Sequence, residues 1–354
     1  MRTKSIWVAV GMQALCVGAA QAQSSEVTLY GVVDAFIEYG KAGTAAAPTT
    51  VTRLQSGGAN SSRLGFRGSE DLGAGMKANF VIEHGFLLDS GSPASASSFW
   101  NRQSFVGLSG DWGALSAGRQ YTPLLVHQDS FDPSFNTTGY GSAYNSGVIR
   151  TFSRANNSVL YKTPKLGDVS ASFMAALGET ASGTRAGSSA FASVRYASGP
   201  FGVGFAYGVQ FKLDATKEDK SIWNAAGSYK LGDATLMAAV QGTRNDSQAV
   251  GVADDRAEFL LGVDYIIGAG ELRAAFAQGK VKDVADTTAR QYSLGYLYNL
   301  SKRTALYAVA QAVDNPSNLA YRTSGFTFDA IEGGLPAGAG VTARALAVGV
   351  RHRF

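Results

Sequence analysis

Few residues in this chain are placed to make or break bonds. It has three histidines, His84, His127 and His352, and one cysteine, Cys16. A hydrolytic nucleophile needs a base beside it and a third group to orient that base. None of the histidines stands in a serine- or metal-centred motif, which argues against an enzyme. Asp246, Asp254 and Asp255 could offer carboxylate oxygens to a divalent cation; solvated loop charge is the simpler reading. Gly199-Pro200-Phe201-Gly202-Val203-Gly204 loosely echoes a dinucleotide loop but leads into a strand pattern, not a helix, so that reading fails. No cofactor and no metal are expected. What remains is charge and its placement. Asp129 and Asp132 are the only acids in a long polar segment, 122–153, which also holds His127, Phe131, Phe135, Tyr140 and Tyr144.

The elements that must position these residues alternate with period two. Val27, Leu29, Gly31, Val33, Ala35 and Ile37 share one face; Thr28, Tyr30, Asp34 and Glu38 share the other. Val203, Phe205, Tyr207 and Val209 alternate with Gly202, Gly204, Ala206 and Gly208. Phe259 to Ile267, Tyr292 to Leu300 and Leu346 to Phe354 repeat the pattern. Large apolar residues set against Gly, Ala and charge through strands of about 10 residues suit a tilted crossing of a bilayer. Arg63 falls on the inner side, because Leu64 and Phe66 take the lipid-facing parity. Counting from Val159 and Tyr161 puts Arg154, Ser158 and Lys162 inside as well. Arg119 shares parity with Leu115 and Ala117, so a bulge or the strand end must intervene if it is to face inward. The mixed alternation around Arg102 leaves its side open.

The first 22 residues are expected to be a cleaved export signal: Arg2 and Lys4, an apolar stretch to residue 20, then Ala20-Gln21-Ala22. Residues 23–354 then form one barrel domain. Cys16 leaves with the signal, so no disulfide or thiol catalyst is expected. The 31 basic against 27 acidic residues give +4; loss of Arg2 and Lys4 leaves +2. That balance excludes a nucleic-acid binder.

Short turns fall near Asp71–Gly75, Gly110–Gly113, Pro164–Asp168, Gly199–Gly202, Leu231–Asp233, Gly268–Gly270 and Ser301–Arg303. Longer polar connections fall near 41–59, 89–99, 122–153, 178–190, 212–220, 243–256, 281–288 and 314–340. These seven turns and eight loops join 16 strands. The expectation is an all-β, 16-stranded antiparallel transmembrane β-barrel, short turns periplasmic, enclosing an aqueous channel.

Six ordered segments carry a family resemblance. They are Val27-Thr28-Leu29-Tyr30-Gly31-Val32-Val33-Asp34, Ser62-Arg63-Leu64-Gly65-Phe66-Arg67-Gly68-Ser69-Glu70-Asp71-Leu72-Gly73, Asn101-Arg102-Gln103-Ser104-Phe105-Val106-Gly107-Leu108, Gly118-Arg119-Gln120-Tyr121-Thr122-Pro123, Leu300-Ser301-Lys302-Arg303-Thr304 and Val348-Gly349-Val350-Arg351-His352-Arg353-Phe354. Together they resemble the general-diffusion porins of Gram-negative bacteria, of β-proteobacterial type. The resemblance implies a homotrimer in the outer membrane and passive passage of small hydrophilic solutes. It implies an inward-folded third loop, with Asp129 and Asp132 facing a basic cluster carried onto Arg63, Arg102, Arg119 and Arg154. It also implies that Phe354 ends a signal read by the barrel-assembly machinery, with lipopolysaccharide and outer-membrane lipid as further partners. More arginines than acids at a constriction would favour small anionic or neutral solutes. A channel biased to organic carboxylates is the alternative, with the loop aromatics as its support; an adhesin is a remoter one.

Overall fold

The structure, a computed structural model, describes residues 25–44, 47–135, 137, 139–181, 183, 185–212, 219–244, 255–318 and 339–354. Residues 1–22, expected to be an export signal, with Cys16 among them, and Asp246 and Asp254 lie outside the described residues.

Alternation decides the architecture. Val203, Phe205 and Tyr207 are 50%, 45% and 41% exposed, whereas Ala206 between them is fully buried. A sheet with one greasy and one small or polar face can close on itself in a bilayer, with no backbone edge left in lipid. The strands are β1 (Ser25–Thr44), β2 (Ala47–Ser56), β3 (Arg63–Gly73), β4 (Met76–Gly85), β5 (Gln103–Gly110), β6 (Gly113–Tyr121), β7 (Arg154–Lys162), β8 (Val169–Ala176) and β9 (Ser189–Ser198). They continue as β10 (Phe201–Gln210), β11 (Lys220–Leu231), β12 (Ala234–Arg244), β13 (Arg256–Ile267), β14 (Gly270–Val281), β15 (Ala289–Asn299), β16 (Thr304–Asp314) and β17 (Thr342–Arg353). Each pairs antiparallel with the next, except that β2 and β3 both pair with β1, and β17 closes on β1 from Val32 opposite Arg353 to Lys41 opposite Arg344.

β2 and β3 are halves of one stave. β1 pairs with β3 over Ser25–Val32 and with β2 over Ala35–Thr44. The seventeen strands among the described residues therefore make a wall of sixteen staves. Between the halves, residues 57–62 turn into the barrel. The Asp34 carboxylate holds them, accepting from the backbone N–H groups of Gly58, Ala59 and Asn60 at 3.0, 3.0 and 2.8 Å. The expected connection at 41–59 is thus mostly strand. Its polar residues resembled a loop, but pairing of β2 along the upper half of β1 makes it ladder. The seven short turns lie where the sequence put them.

Aromatic residues ring the outer wall at two heights. Trp112, Tyr229, Tyr265 and Tyr298 stand exposed near the short turns, and Tyr39, Tyr207, Trp223 and Tyr292 near the long connections. Such belts mark the two interfaces of the bilayer.

Candidate functional site: the loop inside the barrel

The connection between β6 and β7 enters the lumen. It carries the two helices seen among the described residues, α1 (Pro123–Asp129) and α2 (Ala143–Ser146). Thr122 starts α1 as its N-cap, accepting from the Leu125 N–H at 3.1 Å, with Pro123 in the first turn. The same hydroxyl donates to the Phe152 carbonyl, tying the loop's two ends together.

The loop lies against the wall from β8 to β16. His127 Nε2 meets Asn224 Oδ1 at 2.8 Å, and Gln128 donates to Gln241 at 2.7 Å. Gln241 in turn donates to the Arg150 carbonyl at 2.8 Å and to Glu258 at 2.7 Å. Gln291 donates to the Gly141 carbonyl at 2.7 Å and accepts from the Ser146 hydroxyl. Tyr140 donates to Glu38 of β1 at 2.7 Å. Inward glycines make the room. A Cβ on Gly262 would come within 2.2 Å of Pro133, and one on Gly279 within 2.3 Å of the Val148 carbonyl. Burial pushes the His127 imidazole down to about 4, so it is neutral at physiological pH. It anchors the helix and has no partner set suited to catalysis.

Opposite this latched face a gap remains. It is lined on the wall by Tyr30, Arg63, Arg67, Glu83, Arg102 and Tyr121, and on the loop by Asp129 and Thr137. Glu83 is its hub: Arg102 Nε lies 2.7 Å and Arg63 Nε 3.5 Å from its two oxygens, and Tyr30 donates to it at 3.0 Å. The Arg154 guanidinium lies 4.7 Å from the Tyr121 ring centre, on a ring that Arg102 also approaches at 5.9 Å. Asp129 faces this group while accepting from the Thr137 N–H and hydroxyl, both at 3.1 Å.

Of the expected arginines, Arg63, Arg102 and Arg154 come together around Glu83 and Tyr121. Arg119 does not join them. Its Nε donates to the Asn101 carbonyl at 2.7 Å and its Nη1 to Asn156, so it braces the backbone beside Arg102. The anticipated bulge exists, but in β7. Gly118 pairs with Ser158 and Gln120 with Ala155, leaving Asn156 and Asn157 opposite Arg119, with Asn157 at φ 51°. Alternation counted back from Ser158 therefore fails: Ala155 takes the buried inner place with Leu124 and Phe152, and Arg154 reaches Tyr121 from the strand's first position.

Asp132 also departs from expectation. It is buried within the loop, accepting from the Ser134 N–H at 2.9 Å and the Ser142 hydroxyl at 2.8 Å. Phe131, Tyr140 and Tyr144 are buried against the wall, and Phe135 packs on Arg273 and Tyr307, so these aromatics do not line the gap. Glu83, Arg67, Tyr30 and Tyr121 were missed as site residues. The signal that could have found Glu83 is strand parity, which sets it on the same face of β4 as Asn79 and Val81. Asp255 lies 3.9 Å from Arg244, and no cluster of three metal-binding side chains occurs among the described residues.

A closed antiparallel barrel, greasy outside, with a loop laid across its lumen beside a charged gap, is a membrane channel. Residues 8–318 match the family model described as Gram-negative porin, and the chain belongs to that family. It is 34% identical to outer membrane porin protein 32 of Delftia acidovorans, over 95% of this chain and 96% of that one. It is 30% identical to major outer membrane protein P.IB of Neisseria meningitidis, over 85% and 91%. The solved structure of an anion-selective porin from Comamonas acidovorans superposes with a TM-score of 0.79 at 30% identity, covering 94% of this chain and all of that one. The protein is a passive channel of the Gram-negative outer membrane, not an enzyme.

Proposed function

We propose that the gap beside Glu83 is the channel's constriction and that it prefers anions. The supporting observation is the charge around it. Glu83 is shared by Arg63 and Arg102, Asp129 faces them, and Arg67 and Arg154 add two further positive charges to the same group. Four guanidiniums against two carboxylates leave a positive field where the lumen is narrowest, and rings of fixed charge set ion preference. The similarity to an anion-selective porin supports the same sign. Small anionic and neutral solutes are the cargo. Reversal potentials in a salt gradient test this. A unit charge about 4 Å away is worth about 1 kcal/mol in water, so Arg63→Ala and Arg154→Ala should each lower the anion preference by up to about fivefold. A cation-preferring wild type, or unchanged conductance and selectivity in both variants, would refute it.

The working unit is a homotrimer, in keeping with the porin relatives. Residues 1–22 are the export signal removed in the periplasm. Phe354 is the end of the segment that the barrel-assembly machinery reads; its neighbours Leu346, Val348 and Val350 face lipid on the same side of β17.

A further inference from the structure

The inward face of a barrel wall is polar where it meets water. On the short-turn side of the gap, this wall departs from that rule. Inward places on β5 and β7 hold Phe105 and Leu160, and α1 sets Pro123 and Val126, three residues apart on one helix face, beside them. Val126 is 50% exposed, although Leu124 and Leu125 next to it are buried. These side chains wall a bay of about 300 Å³, continuous with the gap through Gln103, Tyr121 and Val126, which line both. The register places a cation at the bay's far end. Two rows below Phe105, about 13 Å along the strands, Lys162 lies between Ala114 and Ser172, with Ser109 next in the row. Among the described residues no carboxylate lies within ion-pair distance of its ammonium.

We infer that this bay is a binding subsite for aromatic monocarboxylates, with the ring against Phe105, Leu160 and Val126 and the carboxylate on the Lys162 ammonium. The inference rests on the anion-preferring reading of the constriction and adds a recognition that a positive field alone does not supply, that of an apolar body. Apolar groups bared to a water-filled lumen are costly, and a ring laid over them takes both surfaces out of water. Phe105 adds the edge or offset contact that favours another aromatic ring. At the other end an ammonium flanked by the Ser172 hydroxyl suits a carboxylate, as a charge-assisted donor beside a neutral one. Once the lysine side chain has extended, the span from Lys162 to Phe105 suits one ring and its carboxylate rather than a long alkyl chain. A hydrophilic anion gains nothing from Phe105 and Val126, and a neutral aromatic gains nothing from Lys162, so the bay selects solutes that carry both features.

The test reconstitutes the full mature chain in planar bilayers and titrates sodium benzoate, with acetate, hexanoate and benzamide as controls. Binding is read from the concentration dependence of current block and noise. Benzoate should bind roughly tenfold more tightly than acetate, the worth of one good aromatic contact. Benzamide should not block over the same range. Lys162→Gln should weaken benzoate about fivefold. Val126→Ser, at a half-exposed place where folding is not at stake, should weaken it by a similar factor and leave acetate as it was. Equal affinity for benzoate and acetate would overturn the inference, as would benzoate affinity unchanged in both variants or hexanoate binding more tightly than benzoate. Reversal potentials in potassium chloride test the constriction separately. A cation-preferring wild type that still bound benzoate through Lys162 and Val126 would uphold the bay and refute the constriction's sign. An anion-preferring wild type that bound benzoate no better than acetate would do the reverse.

Discussion

Asp132 shows how far a single residue's role can diverge from its position in the chain. Two acids in the third loop looked alike in sequence. Asp129 faces the arginines, whereas Asp132 is folded into the loop and burial raises its carboxyl from 3.8 to about 6. A carboxyl whose pKa is higher folded than unfolded favours the protonated form in the native loop. Its stabilising contribution is complete below pH 3.8 and is lost as the pH rises through about 6. At neutral pH the ionised form therefore costs up to about 3 kcal/mol. Asp132→Asn should keep the acceptor for the Ser134 N–H and remove that dependence. Open-channel current noise should rise between pH 4 and pH 7 in the wild type and stay flat in the variant; parallel profiles would refute this. Arg63 was legible in sequence because its strand alternates without interruption from Leu64 to Phe66. Arg154 was not, because the extra residue at Asn156–Asn157 shifts the phase and nothing in the residue types announces it.

Among the elements, the turns were the most legible, since glycine, proline and aspartate punctuate strands wherever the chain must reverse. The path of the third loop was hidden. Gly204, Gly262 and Gly295 showed themselves as inward-facing, but an inward glycine serves water or a packed segment equally, and only the fold shows that His127, Pro133 and Phe135 occupy that space. The latch combines a row of amide hydrogen bonds with apolar packing of Leu124, Tyr144 and Ile149 against the wall, and a single cut in it should loosen the loop locally. Gln291→Leu removes the donor to Gly141 and the acceptor for Ser146, a loss of about 1–3 kcal/mol for polar groups left unmatched. Gly279→Val would drive a side chain into the Val148 carbonyl. Each should give larger, noisier single-channel currents while the melting temperature of the barrel changes little, because the strand ladders are untouched. A quiet channel of wild-type conductance in both would show that the loop is held elsewhere.

At the scale of the whole molecule, closure depends on β1. Its lower half pairs with β3, its upper half lies between β2 and β17, and the chain's last residue meets it midway. Gly31 donates to the Phe354 carbonyl at 3.0 Å and accepts from its N–H at 3.1 Å, with the ring packed over the glycine. Deleting Phe354 should slow the appearance of the heat-resistant band on refolding into detergent and leave the melting of the finished barrel nearly unchanged. Wild-type kinetics would remove the terminal residue from the closing step.

The split stave extends this to the order of events. Nearly every ladder joins strands adjacent in sequence and can form hairpin by hairpin as the chain arrives. The β1–β17 seam joins the first described strand to the last, and contacts of such sequence separation are slow to form. Residues 57–62 stand beside that seam, and Asn60 accepts from Arg351 at 3.0 Å and Arg353 at 3.1 Å. The inward fold is thus a clasp made early by the first hairpin and engaged late by the final strand: until β17 arrives, Asn60 holds open a place for two arginines that the chain has yet to deliver.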